Sequence, residues 1–210
     1  MFKGKIVFDF HGVLANMWEL KNWWAQALYG VTLPPEYCFS RQIIGAGVLT
    51  REQYEDLQYL VYYNPQTREQ LRPTPGASEF LKLAKRHGYV AQEVVTSSRD
   101  CPNGPADHAR ASLQAWFPED PLVVASPNQG PYQSKYERGS GKPKSTVLVP
   151  GEQIVFEDDP KNIPDLLTVP GVTVFLLDWP YNRNVDLPEG AIRVYSFMHA
   201  LGYLSERAAA

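Results

Sequence analysis

The run Lys5-Ile6-Val7-Phe8-Asp9-Phe10-His11-Gly12-Val13-Leu14 constrains the fold more than any other part of this 210-residue chain. A short apolar stretch ends in an aspartate, and a glycine turn follows with a histidine between them. Such a stretch reads as a buried strand over Lys5–Asp9. Asp9 then stands at the carboxyl end of that strand, where open α/β sheets do their ligand chemistry.

Strand and helix signals alternate through the rest of the chain. Val90–Val95, Leu122–Ala125, Gln153–Phe156 and Val172–Leu177 read as further strands. Ala77–His87, Ala106–Trp116 and Ile163–Leu167 read as helices between them. This alternation predicts an α/β fold with a mostly parallel sheet and connecting helices. Met17–Tyr29 and Thr50–Tyr63 read as amphipathic helices, the second with Thr50 as N-cap and Gln53 completing a capping box. With breaks at Pro34-Pro35, Gly45 and Gly47, residues 16–70 are expected to form a small helical insert. Pro73-Thr74-Pro75-Gly76 marks the return, so residues 1–15 and 71–200 make the core and 201–210 a C-terminal tail. Residues 127–144, rich in Gly, Pro, Ser and Lys, are expected to form an irregular loop.

Composition narrows the function classes. A hydrophobic content of 44% is ample for a core, and a formal net charge of -3 argues against broad electrostatic capture of nucleic acid. A local phosphate pocket remains compatible with that charge. Cys38 and Cys101 make neither a metal cluster nor a disulfide framework. No apolar run approaches the roughly 20 residues that span a bilayer. With no secretory segment, a reducing cytoplasm is the expected compartment, and no membrane partner is expected.

Three strands end in chemically useful groups: Asp9, then Thr96 and Ser97, then Asp158 and Asp159. A parallel sheet gathers those ends at one edge. Carboxylates there can hold Mg²⁺ through hard oxygen ligands, while hydroxyls, amides and a lysine take phosphoryl oxygens. An ionised aspartate can attack phosphorus. Each group also has a plainer role: Asp9 or the Asp158-Asp159 pair as a cap, Thr96-Ser97-Ser98 as a turn, Arg99 and Asp100 as a surface pair. Convergence of three strand ends favours the phosphate site. Among Lys135, Lys142 and Lys144, the last is preferred as the phosphate lysine and Lys142 is second, because each can return from the loop to the sheet edge.

The combination Asp9-Phe10-His11-Gly12-Val13-Leu14, Val94-Val95-Thr96-Ser97-Ser98, Lys142-Pro143-Lys144 and Val155-Phe156-Glu157-Asp158-Asp159-Pro160 resembles the haloacid-dehalogenase-like (HAD) hydrolases. The resemblance runs over most of residues 4–178. It implies a Rossmannoid three-layer sandwich with a small helical cap. Within that group the early helical insert, Pro73-Thr74-Pro75-Gly76-Ala77 and Trp179-Pro180-Tyr181-Asn182-Arg183 look most like 5'(3')-deoxyribonucleotidases. The resemblance implies that Asp9 is a nucleophile and that Mg²⁺ is held by Asp9, the backbone carbonyl of His11 and Asp158, with Asp159 nearby. It assigns phosphate contacts to Thr96 or Ser97 and to Lys144. His11 departs from the pattern, in which a second aspartate protonates the leaving oxygen and then activates water. A histidine can transfer protons near neutrality, so turnover, altered or slowed, is compatible with it.

The chain is thus expected to be a Mg²⁺-dependent phosphomonoesterase acting on a small phosphorylated molecule, a nucleoside monophosphate being the leading substrate. An oligonucleotide 3'-phosphate end is the enzymatic alternative, and a catalytically impaired phosphate-binding protein is the non-enzymatic one. Trp18, Trp23 and Trp24 in the insert, with Arg99 from the core, are the expected substrate-facing residues, although helix packing also accounts for the tryptophans.

Overall fold

The computed structural model describes residues 4–37, 39–96, 104–119, 122–128 and 142–209. Six strands form one sheet: β1 (Gly4–Phe8), β2 (Tyr89–Val95), β3 (Val123–Ala125), β4 (Gln153–Glu157), β5 (Val172–Leu177) and β6 (Ala191–Val194). Their order is β3-β2-β1-β4-β5-β6, and every neighbouring pair is parallel. The chain winds outward from β1 in both directions, so the strand order reverses between β1 and β4. A crevice opens at such a reversal, beyond the carboxyl ends of the strands.

Successive strand side chains point to opposite faces, and here both faces are covered. Ile6 and Phe8 lie on one face with Ile154, Phe156, Phe175 and Leu177. Val7 lies on the other with Val155, Val174 and Leu176. The first face packs on α5 (Ala77–Arg86) and α8 (Phe197–Ala209), with Phe80, Phe197, Leu201 and Leu204 in the same core. Phe8 stacks on Phe156 at 5.2 Å, and Phe80 meets Phe156 edge-on at the same distance. The second face packs on Ile163 and Leu166 of α7 (Ile163–Leu166) and on Leu148. The helix α6 (Pro105–Trp116) adds Ala106, Ala109 and Leu113 to the first core. The result is helix, sheet and helix in three layers.

Between β1 and α5 lie α1 (Met17–Tyr29), α2 (Ser40–Gly45), α3 (Arg51–Tyr63) and α4 (Pro65–Arg68). The chain enters and leaves this segment side by side. Ala15 bridges to Pro73, Asn16 N donates to Arg72 O at 3.2 Å, and Thr74 N donates to Leu14 O at 2.8 Å. Asn16 caps α1 by accepting from Glu19 N, and Gly30 ends it at φ 67°. Thr50 and Gln53 close the capping box of α3 at 3.2 and 2.9 Å.

The short edge strand β6 and the helices α2, α4 and α8 had no counterpart in the sequence expectation. Residues 201–209, expected as a tail, make up all but the first turn of α8, with Leu201 and Leu204 buried. The physical reason is the stripe Phe197, Ala200, Leu201, Leu204, whose spacing suits a helix laid across the sheet. Most of the expected loop 127–144 lies outside the described residues, but its end forms a 3-10 turn over Lys144–Val147. No helix among the described residues is long and apolar enough to cross a membrane.

Candidate active site

Asp9 extends the β1 ladder by one residue, its N–H donating to Phe156 O at 2.8 Å. Its carboxylate is held at both oxygens. Oδ1 accepts from Phe10 N at 2.7 Å, and Oδ2 lies 2.6 Å from Lys144 Nζ. The same ammonium lies 2.7 Å from Glu157 Oε2. Lys144 and Glu157 are both buried, so one cation bridges two carboxylates at the floor of the crevice. The 3-10 turn that delivers Lys144 is fixed by Ser145, whose N–H and Oγ donate to the Asp165 carboxylate at 3.0 and 2.5 Å.

Oxygens of Asp9, Glu157 and Asp158 lie within 4.8 Å of one another, and all three residues are buried. Glu157 Oε1 also accepts from the N–H groups of Asp158 and Asp159 at 3.1 and 3.0 Å. Asp158 Oδ2 accepts from the Tyr181 hydroxyl at 2.8 Å. The turn after β1 must leave room for this carboxylate. Gly12 has φ +82°, and a Cβ there would stand 2.1 Å from Asp158 Oδ2.

Charge in this cluster is out of balance. Burial raises Asp9 to about 7; Lys144 pulls it down and Glu157 pushes it up. Burial, then Glu157 and Asp9, hold Asp158 well above the usual carboxylate range. For Lys144 burial acts downward, but Asp9 and Glu157 outweigh it and hold the ammonium above its ordinary value. For Glu157 burial acts upward, but the charge and hydrogen bond of Lys144 outweigh it and hold the carboxyl low. Three carboxylates lie close together, the Lys144 ammonium contacts two of them, and their donors are hard oxygens, the set that suits a divalent cation such as Mg²⁺. The residues present therefore fit such an ion.

A cleft of about 730 Å³ opens above this floor. On the sheet side it is lined by Asp9, His11, Thr96, Lys144 and Asp158; on the insert side by Met17, Lys21, Phe39, Tyr54 and Tyr62. The His11 ring meets Phe10 edge-on at 4.9 Å and Tyr62 at 4.7 Å. Burial, then Lys21, Lys144 and His108, lower His11 to about 3, so its imidazole is neutral at pH 7. Thr96 is buried just past β2, its N–H donating to Ala125 O at 3.1 Å.

The structure gathers Asp9, His11, Thr96, Lys142, Lys144, Asp158 and Asp159 around one cleft. Lys144 is buried at its floor while Lys142 is exposed. Asp159, expected beside the metal, turns to Lys161: Oδ1 accepts from Lys161 N at 3.2 Å and Oδ2 pairs with its Nζ at 2.6 Å. Glu157 takes its place in the carboxylate cluster. Trp18, Trp23 and Trp24 are not among the residues lining the cleft; Trp23 is 56% exposed and packs edge-on against Trp24. Ser97 and Arg99 lie outside the described residues. Sequence reasoning passed over Glu157 and Lys21. Lys21 had a readable signal, a lysine inside the buried stripe Met17, Leu20, Lys21, Ala25 of α1.

No protein-family model matches the sequence, and no curated protein is similar to it in sequence. Solved structures do share its fold. A haloacid-dehalogenase-like hydrolase from Streptococcus pneumoniae superposes with a TM-score of 0.60 at 15% identity, covering 95% of this chain and 97% of that one. A predicted phosphatase from Clostridium acetobutylicum gives 0.57 at 12%, covering 98% and 100%. D,D-heptose 1,7-bisphosphate phosphatase from B. bronchiseptica, complexed with magnesium and phosphate, gives 0.56 at 9%, covering 98% and 99%. At such identities the likeness establishes the fold, an α/β Rossmannoid architecture of the haloacid-dehalogenase-like kind.

Proposed function

We propose that the chain is a Mg²⁺-dependent phosphomonoester hydrolase whose nucleophile is Asp9. One observation carries this reading: the Asp9 carboxylate, at the end of the first strand, is clamped by Lys144 inside a buried carboxylate cluster that opens into a cleft. The fold it shares with a phosphatase complexed with magnesium and phosphate supports it.

In this reading Asp9, Asp158 and the backbone carbonyl of His11 would hold Mg²⁺, with Glu157 in the carboxylate cluster where Asp159 was expected. Bound there, such an ion would supply positive charge that offsets the charge developing on the phosphoryl group. Lys144 and Thr96 hold those oxygens, with Ser97 and Lys142 as further contacts. An Asp9 oxygen forms a bond to phosphorus as the ester P–O bond breaks, and the departing alkoxide takes a proton from solvent water. Water then attacks phosphorus, its proton passes to a base, and phosphate leaves with Asp9 restored. A neutral His11 imidazole offers an acceptor nitrogen for that proton, a weak one because its pKa is lowered to about 3. The insert, residues 16–70, acts as a cap that excludes water above the reacting atoms.

The substrate of this reading is a small phosphorylated molecule, and a nucleoside monophosphate is the first to test. Its base would lie against Phe39, Tyr54 and Tyr62 rather than against the tryptophans. Arg41, Lys142 and Lys161, all exposed and all lining the cleft, favour a second substrate, an oligonucleotide ending in a 3'-phosphate.

The test is phosphate release with Mg²⁺ from nucleotides, sugar phosphates and 3'-phosphorylated oligonucleotides, run beside Asp9→Asn. Release from any of these that disappears in the variant supports the assignment. Release unchanged by the substitution overturns Asp9 as nucleophile. Phosphate binding without release from any substrate would leave an impaired phosphate-binding protein.

A further inference from the structure

The segment after β5 touches both the metal-fitting cluster and the insert, and no step of the reaction above uses it. Trp179 Nε1 donates to Gly12 O at 2.7 Å, in the turn that follows Asp9. The Tyr181 hydroxyl donates to Asp158 Oδ2 at 2.8 Å, and Asn182 Nδ2 donates to Asp158 O and to Leu177 O, each at 2.9 Å. Arg193 Nη1 donates to Asn182 Oδ1 at 3.0 Å, which secures the segment to β6. On its other side the Tyr181 ring meets Phe39 edge-on at 5.0 Å, and Gln42 Nε2 of α2 donates to Tyr181 O at 3.2 Å. Trp179 and Tyr181 lie parallel, with ring centroids 6.1 Å apart.

We propose that Tyr181 is a positioning residue that ties the aim of the Asp158 carboxylate to the seating of α2. The inference rests on the metal assignment made under the proposed function. The hydroxyl bond fixes one carboxylate rotamer, the kind of outer contact that sets a ligand's affinity for its metal. The ring and the backbone carbonyl of the same residue are held by the insert. A shift of α2 away from the core therefore moves the donor that aims Asp158. Reciprocity follows: a cation that requires Asp158 in its fixed rotamer stabilises the seated position of α2.

The test uses the full chain and Mg²⁺ alone. Tyr181→Phe removes only the hydroxyl and keeps the ring against Phe39 and Trp179. Gln42→Ala removes the bond to Tyr181 O, together with the bond that Gln42 Oε1 accepts from Phe39 N at the start of α2, without touching the cluster, and it carries the test if Tyr181→Phe fails to fold. Calorimetric titration with Mg²⁺ is expected to show roughly tenfold weaker binding for Tyr181→Phe, and a smaller loss for Gln42→Ala. Hydrogen exchange is expected to show Mg²⁺ slowing the amides of Ser40–Gly45 in the parent and not in Tyr181→Phe. Parent-like Mg²⁺ affinity in a folded Tyr181→Phe, or α2 exchange indifferent to Mg²⁺ in the parent, overturns the coupling while leaving the metal assignment intact. A parent chain that does not bind Mg²⁺ overturns both.

Discussion

The two walls of the cleft rest on different physics. On the sheet side Asp9, Lys144, Glu157 and Asp158 are held by charge-assisted bonds of 2.6 to 2.8 Å, and all four are buried. On the insert side Met17, Phe39, Tyr54 and Tyr62 meet the cleft through ring packing and shape, and Lys21 lies over the Tyr62 ring at 5.5 Å. Short ionic bonds fix atoms to within fractions of an ångström, as group transfer requires. Packed rings adapt more readily to what they enclose. Substitutions on the sheet side should therefore act on kcat and on stability, and those on the insert side on KM.

The largest break in that comparison is Asp9→Asn. An amide keeps the size of the side chain but is no nucleophile, so phosphate release should fall by at least about 10³-fold in steady-state assays. Thermal unfolding should change far less, because the substitution removes one of three crowded carboxylates. Lys144→Met acts on both quantities. It leaves Asp9 and Glu157 buried without their shared cation, and urea denaturation in metal-free buffer should show a loss of about 3–5 kcal/mol. A loss under about 1 kcal/mol would mean that the ammonium does not secure the floor.

His11→Asp sharpens the comparison from the other side. His11 stands where the sheet floor meets the insert, its ring against Tyr62. If proton transfer by this side chain limits turnover, placing a carboxylate there should raise kcat about tenfold or more, within the range that a positioned acid or base supplies. A fall in kcat would instead show that the imidazole is the working proton acceptor.

Much of the sheet side could be read from the sequence because it depends on where strands end. Asp9, Thr96 and Asp158 each follow a short apolar run, and parallel strands bring such ends together whatever the sequence between them. Which acid in Glu157-Asp158-Asp159 joins the cluster depended on the strand's last residue. β4 runs through Glu157, so Glu157 faces Lys144 and Asp159 is left to cap the next turn. One residue of strand length decides this, and strand ends are read only to within a few residues from pattern. The insert was harder. Aromatic content pointed to Trp18, Trp23 and Trp24, but the rotation of α1 is set by its buried stripe, Met17, Leu20, Lys21 and Ala25. That stripe, not the richest cluster of rings, determines which face of α1 meets the cleft.

The smallest expected effects test this last point by pairing two aromatic substitutions on the insert. Tyr54 is buried and lines the cleft, whereas Trp23 is exposed and does not. Tyr54→Leu removes ring surface that a bound substrate would cover, so KM should rise about fivefold, corresponding to roughly 1 kcal/mol of lost aromatic contact, with kcat within twofold. Trp23→Ser should leave KM unchanged and shift stability by no more than about 1 kcal/mol, the scale of its edge-on contact with Trp24. Both are read from one substrate titration and one denaturation curve per variant. If the order came out reversed, with Trp23→Ser raising KM and Tyr54→Leu silent, substrate would enter over the outer face of α1. The division between an ionic floor that performs the chemistry and a packed wall that selects the substrate would then have to be redrawn around the tryptophans.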